Sequence, residues 1–318
     1  MNAIDLAQEL KKGNRRALAK SVTLIESTLP KDRIEAEKLL ALIKNSDSSI
    51  RIGITGVPGA GKSTFIESFG LYAISKGKKV AVLAVDPSSP VTGGSILGDK
   101  TRMPNLTMNE NAFIRPSPSK GNLGGVAKQT SDTIKLCEAS GYDIIIVETV
   151  GVGQSETAVS NMTDFFLLLL IAGAGDELQG IKKGIMEMAD LILINKSDGE
   201  NKTRAQRAKN ECLNALSFSR NRKPFWTKDV LTISALYNEG IDLVWNEIHR
   251  YVLESKDYFF ENRKNQSKQM FSITMKNKIL EDIESMDLDE ISEKFLLGNM
   301  TANNAKKEIL KILTQNSI

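Results

Sequence analysis

Arg51-Ile52-Gly53-Ile54-Thr55-Gly56-Val57-Pro58-Gly59-Ala60-Gly61-Lys62-Ser63-Thr64 decides the fold of this chain. Ile50, Ile52 and Ile54 alternate with Arg51 and Gly53, which reads as a β-strand. The strand runs into Gly-x-x-x-x-Gly-Lys-Ser and then a helix, the context a phosphate-binding (Walker A) loop requires. Gly56, Gly59 and Gly61 let the backbone turn successive N–H groups toward phosphate oxygens, and the helix from Lys62 adds the positive end of its dipole. Lys62 is placed to reach the β- and γ-phosphates, and the Ser63 hydroxyl to ligate Mg²⁺. A Gly-rich turn without a ligand is the competing explanation, and the flanking strand and helix argue against it. The chain binds a nucleoside triphosphate.

The 318 residues suffice for one large core with helical additions. The 42 basic and 39 acidic residues leave a net charge of +3, with no electrostatic signature of nucleic-acid binding. Cys137 and Cys212 fall in helical patterns without metal-ligand spacing, as idle thiols of a reducing compartment would. His249, the 1 histidine, forms no His-based metal site alone and reads as a packing residue near Trp245. The apolar run Phe165 to Ala172 is too short to span a bilayer and reads as a central strand covered on both faces. Met1 to Leu10 carries Asp5 and Glu9 and resembles no secretory signal, so a cytoplasmic location with no membrane partner is expected.

Helical periodicity fills Ala3 to Lys44, broken at Gly13-Asn14 and Pro30. Strands are then expected at Arg51–Thr55, Lys79–Val85, Ala112–Arg115, Asp143–Glu148, Phe165–Ile171, Asp190–Asn195 and Val230–Ser234. Helical patterns lie between most of them, including Ser63–Ser75, Gly124–Ala139, Lys202–Leu216 and Gly240–Leu253. This alternation predicts an α/β fold with a doubly wound, mostly parallel sheet that binds its ligand at the carboxyl ends of the strands. Beyond Tyr251 the chain is charged and helical, with apolar stripes that lack an obvious home in the sheet domain.

Further clusters fall at strand ends. Asn195-Lys196-Ser197-Asp198 has the guanine-reading form Asn-Lys-x-Asp. The Asp198 carboxylate accepts from guanine N1–H and the 2-amino group, Lys196 lies along the base and Asn195 ties the loop together. Ser234-Ala235-Leu236 closes the last strand, with the Ser234 and Ala235 N–H groups expected near guanine O6. GTP, with GDP as its product, is therefore the expected ligand. Ile144 to Thr149 has the form of a Walker B strand, followed by Gly151 as the γ-phosphate sensor. Glu148 stands where small signalling GTPases carry Asp and can hold Mg²⁺ through water, and Val152 stands where Ras-type enzymes place the water-orienting Gln. Slow intrinsic hydrolysis follows. Asp86 and Asp99 are candidates for the Mg²⁺ sphere or for orienting the attacking water, although Asp86 before Pro87 also suits a simple turn cap. Gly173 to Gly184 carries Lys182 and Lys183 between glycines, the pattern either of a mobile switch or of an ordinary strand–helix loop.

Together these clusters resemble the MeaB/ArgK family of P-loop GTPases. The matching stretches include Gly56 to Thr64, Val85 to Pro90, Gly98 to Met103, Phe113 to Ser119, Gly124 to Ala127, Glu148 to Glu156 and Gly173 to Gly184. Ala172 departs from the Pro usual in the family at that place. The resemblance implies a GTPase chaperone of an adenosylcobalamin-dependent acyl-CoA mutase, typically methylmalonyl-CoA mutase, that gates cofactor loading, protects the mutase and is stimulated by it. It also implies a layout of an N-terminal helical extension (1–49), a GTPase domain (50–250) and a C-terminal helical arm that makes a homodimer (251–318). A scaffold that binds GTP with little turnover and a kinase-like phosphoryl transferase are the alternatives. A guanine-reading loop suits a switch better than a metabolic kinase.

Overall fold

The structure, a computed structural model, describes residues 1–43, 48–86, 101–118, 123–149, 155–172, 183–217 and 223–315. Seven strands form one sheet: β1 (Ile50–Gly56), β2 (Val80–Asp86), β3 (Ala112–Pro118), β4 (Ile144–Thr149), β5 (Phe165–Ile171), β6 (Leu191–Asn195) and β7 (Asp229–Thr232). All neighbouring strands pair in parallel, in the order β3-β2-β4-β1-β5-β6-β7. Every expected strand is present. β3 runs on to Pro118, and β7 stops at Thr232, where the chain turns into the Ser234–Glu239 bridge.

The apolar runs explain the arrangement. β4, β6 and all but the last residue of β5 are buried, as strands covered by helices on both faces must be. Near the middle of the sheet, β1 lies between β4 and β5, with Ile54 opposite both Glu148 and Leu167. Connections run outward from it to β3 on one side and β7 on the other, so the carboxyl end of β1 is the crevice of a doubly wound sheet.

The N-terminal helices are α1 (Ala3–Lys11), α2 (Arg15–Glu26) and α3 (Pro30–Leu42). Asn2 closes a capping box on α1, and the Asn14 carboxamide oxygen accepts from Arg16 N and Ala17 N at the start of α2. Leu10, Leu18, Val22 and Leu39 are fully buried among these helices, and α2 is joined to β3 by the Glu26–Arg115 ion pair. The remaining helices are α4 (Lys62–Ser75), α5 (Pro104–Met108), α6 (Leu123–Ala139), α7 (Ser155–Ser160), α8 (Lys183–Met188), α9 (Lys202–Ser217), α10 (Ile241–Glu284), α11 (Asp289–Leu296) and α12 (Ala302–Gln315). Gly240–Leu253 therefore begins a helix much longer than its own periodicity suggests, interrupted at Lys256.

The chain divides into two compact units, Met1–Gln266 and Ser267–Ile318. In the first, α10 is tied to the amino ends of the strands. Buried Arg263 donates to both carboxylate oxygens of Asp164 (3.0 and 2.7 Å) and to the Ser49 carbonyl oxygen (2.7 Å). Gln266 donates to the Thr163 carbonyl oxygen, and Lys223 reaches both Asp190 and the Tyr251 hydroxyl. In the second unit Ile291 is buried, whereas Phe271, Ile279, Leu280, Phe295, Leu296 and Leu297 are exposed. Among the described residues no helix is long and apolar enough to cross a membrane.

Candidate nucleotide site

The loop between β1 and α4 is shaped by close approaches. Gly56 has φ 155°, and a Cβ there would lie 2.3 Å from the Leu169 carbonyl oxygen on β5. No side chain fits between β1 and β5 at that point. Gly61 has φ 86°, and a Cβ would meet the Asn195 Nδ2 atom at 2.6 Å. The two glycines thus let the loop turn tightly over the ends of β5 and β6. Ala60 is fully buried, and its N–H donates to the Val57 carbonyl oxygen, which holds Val57, Pro58, Gly59 and Ala60 in one turn. Ser63 and Thr64 follow Lys62 in the first turn of α4, Ser63 half-buried and Thr64 exposed.

Lys62 Nζ donates to the Gly56 carbonyl oxygen at 2.9 Å. Burial lowers its pKa first of all; the Glu148 and Glu156 carboxylates oppose that shift, and the Arg102 guanidinium adds to it. Glu148 is buried near the end of β4. The next residue, Thr149, donates its hydroxyl to Thr55 Oγ1 at 2.9 Å, which fastens β4 to β1 just below the loop.

The Asn195–Asp198 segment is joined directly to this loop. Asn195 Nδ2 donates to the Ala60 carbonyl oxygen (2.8 Å), while its Oδ1 accepts from Ala235 N (3.0 Å). Lys196 takes the left-handed conformation, φ 59°, and the Ser197 N–H donates to the Ile233 carbonyl oxygen. Asp198 Oδ2 accepts from Ser234 Oγ at 2.6 Å. The Ala235 carbonyl oxygen accepts from Ser68 Oγ on α4 at 2.6 Å. Three chain segments far apart in sequence therefore share one hydrogen-bond network.

Some details escape a linear reading. The Ser234 N–H donates to the Glu239 carbonyl oxygen, and the Ala235 N–H to Asn195, so both groups expected at guanine O6 have protein acceptors. Leu236 is 68% exposed. Ser68 carries no motif and is found only through the fold. Asp99, Gly151 and Lys182 lie outside the described residues, as do the side chains of Asp86 and Lys183; Asp86 ends β2 and Lys183 begins α8. Among the described residues no group of three or more His, Cys, Asp or Glu side chains converges as a metal cage. The oxygens of Ser63 and Glu148 instead suit a hard cation that takes most of its ligands from phosphate and water.

The family described as "Methylmalonyl Co-A mutase-associated GTPase MeaB" matches residues 18–287. The chain belongs to the MeaB family. This makes it a P-loop GTPase. It is 45% identical over 315 residues to a probable GTPase of Mycobacterium tuberculosis, covering 96% of this chain and 94% of that protein. It is 54% identical over 242 residues to the GTPase ArgK of Escherichia coli, covering 76% and 73%. Against the mouse mitochondrial methylmalonic aciduria type A homolog the identity is 49% over 253 residues, covering 76% and 61%. A solved structure described as a LAO/AO transport system kinase superimposes with a TM-score of 0.77 at 37% identity, covering 98% and 97%.

Proposed function

We propose that this GTPase is a nucleotide-gated chaperone of an adenosylcobalamin-dependent acyl-CoA mutase, typically methylmalonyl-CoA mutase, gating cofactor loading and protecting the loaded enzyme. The observation that carries this reading is the family match over residues 18–287, whose description names the mutase. The Asn195 bridge supports it, because it joins the residues that would sense the base to the loop that would hold the phosphates. The buried free thiols Cys137 and Cys212 are in keeping with the cytoplasm.

In the hydrolysis step a water oxygen attacks the γ-phosphorus as its bond to the β,γ-bridging oxygen breaks, giving GDP and phosphate. Lys62 and the loop N–H groups balance charge on the β- and γ-phosphate oxygens. Ser63 and Glu148, with Asp86 and Asp99, would hold Mg²⁺, which when bound neutralises those same oxygens. Gly151 senses the γ-phosphate, and Asp198, Lys196 and the Ser234–Leu236 loop select guanine.

Multiple-turnover hydrolysis measured with and without the mutase tests the proposal. Stimulation by the mutase, together with GTP-dependent transfer of adenosylcobalamin to it, is the expected result. Turnover unchanged by any acyl-CoA mutase of the same organism would overturn it.

A further inference from the structure

Ser68 is one of the buried residues of α4, with Phe65, Ile66, Phe69 and Ala73. Serine is a weaker helix former than alanine, and a hydroxyl inside a helix ordinarily donates to the carbonyl one turn back. Thr23 in α2 and Thr130 and Thr133 in α6 do so, each donating to the carbonyl oxygen four residues earlier, at 3.0, 2.8 and 2.8 Å. Ser68 leaves its own helix instead. Its Oγ donates at 2.6 Å to the Ala235 carbonyl oxygen, 167 positions away.

Ala235 is 1% exposed, so both of its backbone polar groups need partners inside the protein. Its N–H donates to Asn195 Oδ1 at 3.0 Å, and its carbonyl oxygen accepts from Ser68. Ser234, the residue before it, exchanges two backbone hydrogen bonds with Glu239 and donates its hydroxyl to Asp198 at 2.6 Å. A continuous path therefore runs from α4 through Ala235 and Ser234 to the Asp198 carboxylate. Because α4 begins at Lys62, Ser68 fixes the loop after β7 against the helix that opens at the loop after β1.

We propose that Ser68 is a positioning residue for guanine: by holding Ala235 to α4 it keeps Ser234 on Asp198, and so sets how long a guanine nucleotide stays bound. The inference rests on the reading of Asp198 as the group that selects guanine. Ser68 acts on the base through Ala235, Ser234 and Asp198 rather than by touching it. Without its hydroxyl the buried Ala235 carbonyl oxygen loses a partner, and it regains one from water only if the loop moves away from α4. Ser234 moves with that loop, and Asp198 loses the donor that orients its carboxylate. A nucleotide whose base makes no use of Asp198 is indifferent to the change.

The test follows release of the fluorescent N-methylanthraniloyl derivatives of GDP and ADP from full-length parent protein, Ser68→Ala, Ser68→Thr and Ser140→Ala. Ser140 is the comparison because its buried hydroxyl also donates to a carbonyl oxygen, that of Leu136 at 2.9 Å, just after α6. GDP release should quicken on the order of tenfold in Ser68→Ala, the weight of about one lost hydrogen bond, while ADP release stays within about twofold of the parent. Ser68→Thr keeps the hydroxyl and should release GDP within about threefold of the parent rate. Ser140→Ala should lower the thermal midpoint and leave GDP release within about twofold. GDP release from Ser68→Ala within about twofold of the parent overturns the positioning role. So does an equal quickening in Ser140→Ala, in Ser68→Thr, or of ADP release from Ser68→Ala. A parent protein that holds the GDP derivative no longer than the ADP derivative overturns the guanine assignment itself, and the Ser68 proposal with it.

Discussion

Asn195 and Ala60, at the ends of separate chain segments, are joined by a 2.8 Å hydrogen bond from the Asn195 carboxamide to the Ala60 carbonyl oxygen. The same carboxamide accepts from Ala235 N, so one side chain spans the loop after β1 and the loop after β7. Asn195→Ala leaves a buried carbonyl and a buried N–H without partners, each costing about 1–3 kcal/mol. Calorimetric titration should show GTP affinity falling by at least tenfold, with the thermal midpoint lowered as well. Loss of stability with GTP affinity intact would separate this bond from nucleotide binding.

Asp198 is poised by Ser234, whose hydroxyl donates to it at 2.6 Å. Asp198→Asn replaces one acceptor with a donor opposite the guanine N–H groups and should cost about 3–5 kcal/mol of GTP affinity. Xanthosine triphosphate, which offers the reciprocal pattern, should regain part of it. Parent protein binding ATP as tightly as GTP would refute guanine selectivity.

Lys62→Ala should abolish hydrolysis by removing the cation from the β- and γ-phosphate oxygens. Single-turnover assays on purified variant are decisive: a rate within a few-fold of the parent points to a different catalytic site.

Arg263 is almost fully buried and bidentate to Asp164. Arg263→Met removes the buried counter-charge of that carboxylate, leaving it the Arg51 N–H at 2.8 Å, and should destabilise Met1–Gln266 by about 3–5 kcal/mol, read by denaturant unfolding. A loss below 1 kcal/mol would mean that water satisfies Asp164 readily and that the pair does not hold α10 to the sheet.

The exposed Phe271, Ile279, Leu280, Phe295, Leu296 and Leu297 favour a homodimer made through the C-terminal arm. Light scattering should give twice the chain mass for the full-length protein and a monomer for residues 1–266. A full-length monomer at micromolar concentration counts against the arm as the dimer contact.

The sequence by itself determined the sheet and the place of the glycine-rich loop at its carboxyl edge. Strands buried on both faces must be continuously apolar, as Phe165–Ile171 and Ile144–Val147 are, and the glycines and Lys62 of the phosphate loop follow a spacing dictated by phosphate geometry. Only the tertiary structure decided which residues without a motif hold the sheet, its helices and those loops together. Ser68 meets Ala235 across 167 positions, Glu67 holds Asn105 across 38, and Arg263 meets Asp164 across 99, separations that no local periodicity encodes. The tertiary structure also decided that the Ser234 and Ala235 N–H groups have acceptors within the protein. A motif records residue types at fixed spacing, whereas a hydrogen bond goes to whichever partner the packed chain brings within about 3 Å.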